Sequence, residues 1–102
     1  MATIRWTLRA SLDLDSIYDF VSRTSAESAA RLAENLVAAV EQLSDFPRLG
    51  RAVAEFADRG LREVIVPPYR VVYAVADKRR CEVQGIYHAS RDLRRHLPQA
   101  FT

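Results

Sequence analysis

GLREVIVPPYRVVYAV (residues 60–75) and CEVQGIYHASRDLRRHL (residues 81–97) decide the fold of this chain. Runs rich in β-branched and aromatic residues over 61–66, 69–76 and 81–88, separated by Pro67-Pro68 and by the polar turn 77–80, predict three consecutive antiparallel strands. Directly opposed residues of such a pair share a face, and a slip of one residue exchanges the faces. Pairing Asp77 with Cys81 across a three-residue loop sets Val71 opposite Tyr87, Tyr73 opposite Gly85 and Val75 opposite Val83, an almost wholly apolar face for packing. The other face then carries Arg70 beside His88. Pairing Asp77 with Arg80 instead sets Val71 opposite Ile86 but Val75 opposite Glu82. The three-residue loop is preferred, because burying an unpaired carboxylate costs more than a less common turn. The face of Arg62 stays undecided, since the Pro-Pro turn leaves its register open.

Working outward, Ile4, Trp6 and Leu8 alternate with polar residues and predict a short N-terminal strand. Ala10, Leu14, Ile17 and Val21 then form the seam of an amphipathic helix, with Asp13, Asp15 and Asp19 off that seam and its early acids suited to the helix dipole. Thr24 and Glu27 have capping-box spacing, so a second helix should begin near Ser25; Ala29, Ala33, Leu36, Val40 and Leu43 carry its seam until Phe46-Pro47. Two such helices with a short link read as an antiparallel hairpin whose stripes are packing surface. Residues 47–51 form a turn-rich connector, and 52–60 show no period. After the strands, Ser90 can cap a short helix packed down by Leu93, Leu97 and Phe101. The expected class is α+β: an N-terminal strand, a helical hairpin, a three- to four-stranded antiparallel sheet and a short C-terminal helix.

A chain of 102 residues makes one domain, 1–102, too short for two lobes around a deep cofactor cleft, so no cofactor is expected. The net charge of +2 divides unevenly, −3 over residues 1–47 and +5 over 48–102, which steers an acidic partner or a polyanion to the C-terminal half. Fourteen of the fifteen basic residues are Arg; the exception is Lys78. Cys81 is alone, which rules out a disulfide or a Cys-based zinc site within one chain and suits a reducing, cytoplasmic setting. No metal site, signal-peptide core or apolar run of membrane-spanning length is expected.

These motifs resemble the RelE/ParE superfamily of bacterial toxins, and closer to ParE than to RelE. The resemblance runs through Trp6-Thr7, Ala10 with Asp13-Leu14 and Ile17, then Phe46-Pro47-Arg48-Leu49-Gly50-Arg51. It continues in Gly60-Leu61-Arg62-Glu63, Tyr69-Arg70-Val71-Val72-Tyr73 and His88-Ala89-Ser90-Arg91-Asp92-Leu93. Six motifs in order over the chain are specific where each alone is weak. The resemblance implies a type II toxin neutralised by a cognate ParD-like antitoxin in a hetero-oligomer. It also implies either of two targets: ParE-like members poison DNA gyrase without chemistry of their own, and RelE-like members are ribosome-dependent endoribonucleases that cut mRNA. Some members have little toxicity or none.

The two targets make different demands. RNA cleavage needs a base for the 2′-hydroxyl, an acid for the leaving oxygen and a cation for the charged phosphorane. Arg70 and His88, with Arg62 and Arg91, are the residues that could meet them, and Glu55, Glu63 or Tyr87 could complete the set; Tyr87 falls on the apolar face in the preferred register, and the Lys cluster of the best-known ribonuclease members is missing. Gyrase binding needs only a surface, for which Arg70, His88, Arg91, Arg94 and Arg95 are the candidates. The plainer readings are that Arg70 holds a carboxylate such as Glu63 or an acidic antitoxin tail, that His88 is a hydrogen-bonded structural residue, and that the other Arg side chains solvate a helix. Cys81, beside a turn, is not a credible nucleophile. A plain nucleic-acid-binding module ranks last, with no helix-turn-helix, zinc spacing or ribonucleoprotein motif.

Overall fold

Thr7 joins the first strand to the first helix, and its side chain serves both. The computed structural model describes residues 1–95, without the side chains of Ala57 and Arg95. Strand β1 (Thr3–Trp6) leads into helix α1 (Leu8–Ser22). The Thr7 hydroxyl accepts the Ala10 N–H at 3.2 Å, capping the helix, and donates to the Val83 carbonyl at 2.7 Å, tying the junction to the sheet. Helix α2 (Ala26–Glu41) is capped by Ser25, whose Oγ accepts the Ser28 N–H at 3.1 Å. Thr24, the residue with capping-box spacing, instead closes the last turn of α1 by donating its N–H to Val21. The expected hairpin of helices is present.

Four more strands follow: β2 (Arg51–Ala52), β3 (Leu61–Val66), β4 (Tyr69–Asp77) and β5 (Arg80–His88). The sheet order is β1-β5-β4-β3-β2, antiparallel except that β1 runs parallel to β5, from Thr3 opposite Arg80 to Trp6 opposite Val83. The α+β expectation therefore holds, with the N-terminal strand joined to the sheet as one edge and two-residue β2 as the other. A 3₁₀ turn, Leu93–Arg95, stands where a short C-terminal helix was expected. The rest of that helix, including His96, Leu97 and Phe101, lies outside the described residues.

The preferred hairpin register is corrected. Asp77 pairs with Arg80, Val71 with Ile86, Arg70 with Tyr87 and Tyr69 with His88. Irregularities between Val75 and Asp77 and between Val72 and Tyr73 shift the middle of the pair, so Val75 faces Cys81 and Ala74 faces Glu82. The objection to the two-residue loop was a carboxylate opposite Val75. Two bulges remove it without a slip of the whole hairpin.

The register places two cores on the sheet. Toward the helices, Val71, Val83 and Ile86 pack with Ala10, Leu36 and Val40, and Tyr73 and Cys81 pack with Ala2 and Leu43. On the opposite face Val72, Leu61 and Tyr87 pack with Val53, Phe56 and Leu93. Tyr87 and Ile86 have thus exchanged the faces expected of them. The 3₁₀ segment Ala54–Arg59, without period in the sequence, is the cover of this second face. Asp13 also differs from expectation: the first turn of α1 holds no acid, and its Oδ2 accepts the Ile86 N–H at 3.0 Å, beyond the stretch of β5 that β1 covers. It satisfies a strand edge rather than a helix end.

Arg62 lies opposite Tyr73, on the helix side, and donates to the carbonyls of Gly50 at 2.7 Å and Arg48 at 3.3 Å. The Tyr73 hydroxyl donates to Pro47 at 2.8 Å and accepts the Gly50 N–H at 2.9 Å. Together they hold the connector 47–51 against the sheet. A Cβ on Gly50 would stand 2.6 Å from the Glu63 carbonyl and 2.7 Å from the Tyr73 ring. Gly50→Ala should therefore lower the urea midpoint by the equivalent of about 1–3 kcal/mol. An unchanged midpoint would show that the connector moves freely away from the sheet.

Candidate functional site

Arg70 is the most constrained of the sequence-nominated residues. It points to the face away from the helices, is 7% exposed, and pairs through both terminal nitrogens. Nη1 and Nη2 grip Glu55 as a fork, at 3.1 and 2.6 Å, and Nη1 also reaches Glu63 Oε1 at 2.9 Å. Nη2 donates in addition to the carbonyl of Arg91. Glu63, 2% exposed, receives Arg51 on its other oxygen at 3.1 and 3.2 Å, and Glu55 Oε2 accepts the Leu93 N–H at 3.0 Å. The plainer reading of Arg70 as the holder of a carboxylate such as Glu63 is the one the geometry displays.

The electrostatics follow from that geometry. Hydrogen bonds from Arg70 hold the Glu55 carboxyl at about 2, against an ordinary value of 4.5, and outweigh the opposing effect of its burial. Arg70 is raised in turn, first by its bonds to Glu55 and then by those to Glu63. Glu55 is therefore a poor proton carrier near neutral pH. Burial pushes Tyr87 up, with Arg9 5.8 Å above its ring, and burial pushes the Cys81 thiol up as well, which makes it a poor nucleophile.

His88 is not beside Arg70. It faces Tyr69 edge-on with ring centroids 5.8 Å apart, on the helix side of the sheet at its free end. Its Nδ1 lies 2.7 Å from the Ser90 hydroxyl and accepts the Ser90 N–H at 3.2 Å. Arg70 and His88 line different clefts: one of about 480 Å³ holds Glu55, Arg70 and Arg94, and one of about 560 Å³ holds Phe20, Tyr69 and His88. Ser90 and Arg91 line both. Arg91 and Arg94 are exposed, and Arg94 is clamped to Asp92 at 2.9–3.2 Å. Arg95 follows in the same 3₁₀ turn, and Arg62 stands apart at the connector. Arg91 is thus the ridge between the two clefts. Among the described residues no group of three His, Cys, Asp or Glu side chains is placed to hold a metal ion, and no helix is long and apolar enough to cross a membrane.

Two contributions escaped sequence reasoning. Glu55 was one candidate among several, and its hold on Leu93 depends on a segment with no periodicity. The partnership of Tyr69 with His88 depends on the hairpin register.

A strand, a helical hairpin and an antiparallel sheet in this order are shared with a solved structure described as a chromosomal ParDE TA system from P. aeruginosa. The TM-score is 0.72 at 26% identity, over 86% of this chain and 96% of that one. The chain is also 40% identical over 92 residues to Toxin RelE2 of Caulobacter vibrioides, covering 89% of this chain and 99% of the relative. Y4kP of Sinorhizobium fredii is 32% identical over 88 residues, covering 84% and 86%. These likenesses define a toxin of the type II toxin-antitoxin class. Residues 4–93 match the model described as the ParE toxin of the type II toxin-antitoxin system parDE, and the chain belongs to that family.

The depressed carboxyl has a stability consequence. The folded value of Glu55 lies below its unfolded one, so the charged pair stabilises above about pH 4.5, and that contribution fades as pH falls toward about 2. Urea midpoints measured across this window should show wild type losing on the order of 2 kcal/mol more than Glu55→Gln; parallel curves would refute the linkage. Arg70→Ala leaves Glu55 without a guanidinium and Glu63 with Arg51 alone, and should cost about 3–5 kcal/mol in the same measurement.

Proposed function

We propose that this chain is a ParE-like toxin that inhibits DNA gyrase and is neutralised in the cytoplasm by a cognate ParD-like antitoxin. The observation that carries the reading is the state of Arg70. A guanidinium committed to Glu55 and Glu63 is not presented to an RNA phosphate, and His88 lines another cleft. Arg70 and His88, the cation and the acid or base on which the ribonuclease reading leans, are therefore not set together about one scissile bond. Target binding falls to exposed Arg91 and Arg94, with Arg95 next in the chain and His88 at the adjoining cleft, while Arg70 supports them from beneath. No cofactor is required of such a surface. The ParDE description of the structural relative supports an antitoxin as partner in a hetero-oligomer, and the basic C-terminal half offers an acidic segment its counter-charges.

A second reading, a RelE-like ribosome-dependent mRNA endoribonuclease using Arg70, His88, Arg62 and Arg91, is favoured by the name of the Caulobacter relative. A paired assay separates them. Purified toxin is expected to block supercoiling by gyrase, and Arg91→Ala with Arg94→Ala to raise the concentration required at least about tenfold, a loss of about 1.4 kcal/mol in binding. Gyrase untouched at stoichiometric excess, with mRNA cut on the ribosome, would establish the second reading. Inactivity in both assays would mark a weakly toxic or inactive member of the family.

A further inference from the structure

Arg91 and Arg94 stand on a segment, 89–95, that has one 3₁₀ turn and no strand to define its position. Besides the contacts of Ser90 and Arg91 with His88 at the end of β5, its ties to the body of the protein include four of longer range. The Leu93 side chain is fully buried among Val53, Phe56 and Tyr87, and the Ala89 N–H donates to the Pro68 carbonyl at 2.8 Å. The other two pass through the buried ion cluster: Glu55 Oε2 accepts the Leu93 N–H at 3.0 Å, and Arg70 Nη2 donates to the Arg91 carbonyl.

We propose that Glu55 and Arg70 are positioning residues, which set where the basic segment stands on the sheet and thereby aim Arg91 and Arg94 at the target. This rests on the reading of those two arginines as target-facing. A planar fork gripping a carboxylate has one good geometry, so it fixes direction as well as distance. Glu55 Oε2 receives both Arg70 Nη2 and the Leu93 N–H, so the segment inherits that geometry. Glu63, held between Arg70 and Arg51, ties the same guanidinium to the neighbouring strand. The exposed pair within the segment, Arg94 with Asp92, has side chains 69% and 45% exposed and cannot supply comparable order.

The test uses full-length toxin carrying Glu55→Gln, with hydrogen exchange as one readout and growth arrest on induced expression as the other. Growth arrest reports toxicity whichever target is struck. Exchange over 89–95 should quicken at least about tenfold, with α1 and α2 within about twofold of wild type, and the toxin level needed for arrest should rise at least about tenfold. Glu55→Asp keeps the charge against Arg70 but is one methylene short of reaching Leu93 as well. It should move both readouts the same way by less, and it decides the matter alone if Glu55→Gln exposes the helices too. Unchanged exchange over 89–95 in the folded variants overturns the proposal, and so does a loosened segment with undiminished arrest. The failure of the target surface is a separate result: Arg91→Ala with Arg94→Ala would then leave arrest intact.

Discussion

A guanidinium withdrawn from water between two carboxylates is the constraint on which one whole face of this protein depends. Arg70 projects from β4, Glu63 from β3, and Glu55 from the 3₁₀ segment that precedes β3. Each ion alone would pay a desolvation cost of several kcal/mol, so the three persist in a buried setting only together. Arg51, mostly in solvent, completes the charge around Glu63 from outside. Bringing Glu55 to Arg70 draws its segment across the sheet, and the same fold of chain delivers Val53 and Phe56 onto Val72 and Leu61. The charge cluster and the small apolar core beneath the basic segment are thus one construction.

What was legible in the sequence was whatever rests on short-range periodicity. The helix seams, the bounds of β3 and the faces of β4 follow from spacings of three, four and two, which register on residues near one another in the chain. The relation of β5 to β4 was not legible. Its pairing includes two irregularities, and a bulge leaves no mark in an alternating pattern except an apparent mismatch, here Glu82 against Val75. That single slip moved Tyr87 and Ile86 to the wrong faces and set His88 beside Arg70. Glu55 was illegible for another reason: its partners lie 15 and 38 positions away, and no local pattern encodes a carboxylate that serves two distant groups.

The correction changes what kind of surface the family motifs make. The motif Tyr69-Arg70-Val71-Val72-Tyr73 contains one residue, Arg70, that the sequence nominates for target contact or catalysis. It is instead a framework: Tyr69 braces His88, Arg70 anchors the chain beyond β5, and Tyr73 holds the connector through Pro47 and Gly50. Among the residues facing solvent at the same end of the sheet are Ser90 and Arg91, where the two clefts meet. A short motif can be specific for a family because it builds the platform rather than the contact.

The parallel pairing of β1 with β5 has a consequence for how the protein comes into being. Arg5 and Glu82 meet at 2.6 Å across 77 positions of chain, and Thr7 reaches Val83 from the other side of the helical hairpin. Contacts of such long sequence separation form late, because most of the loop between them must close first. During synthesis the helical hairpin leaves the ribosome well before β5 exists, and the sheet has no second edge until then. The segment carrying Arg91 and Arg94 emerges later still. A nascent chain of this protein therefore lacks both the β1–β5 pairing and the ion cluster's hold on the segment after β5 until residues 80–93 have been made.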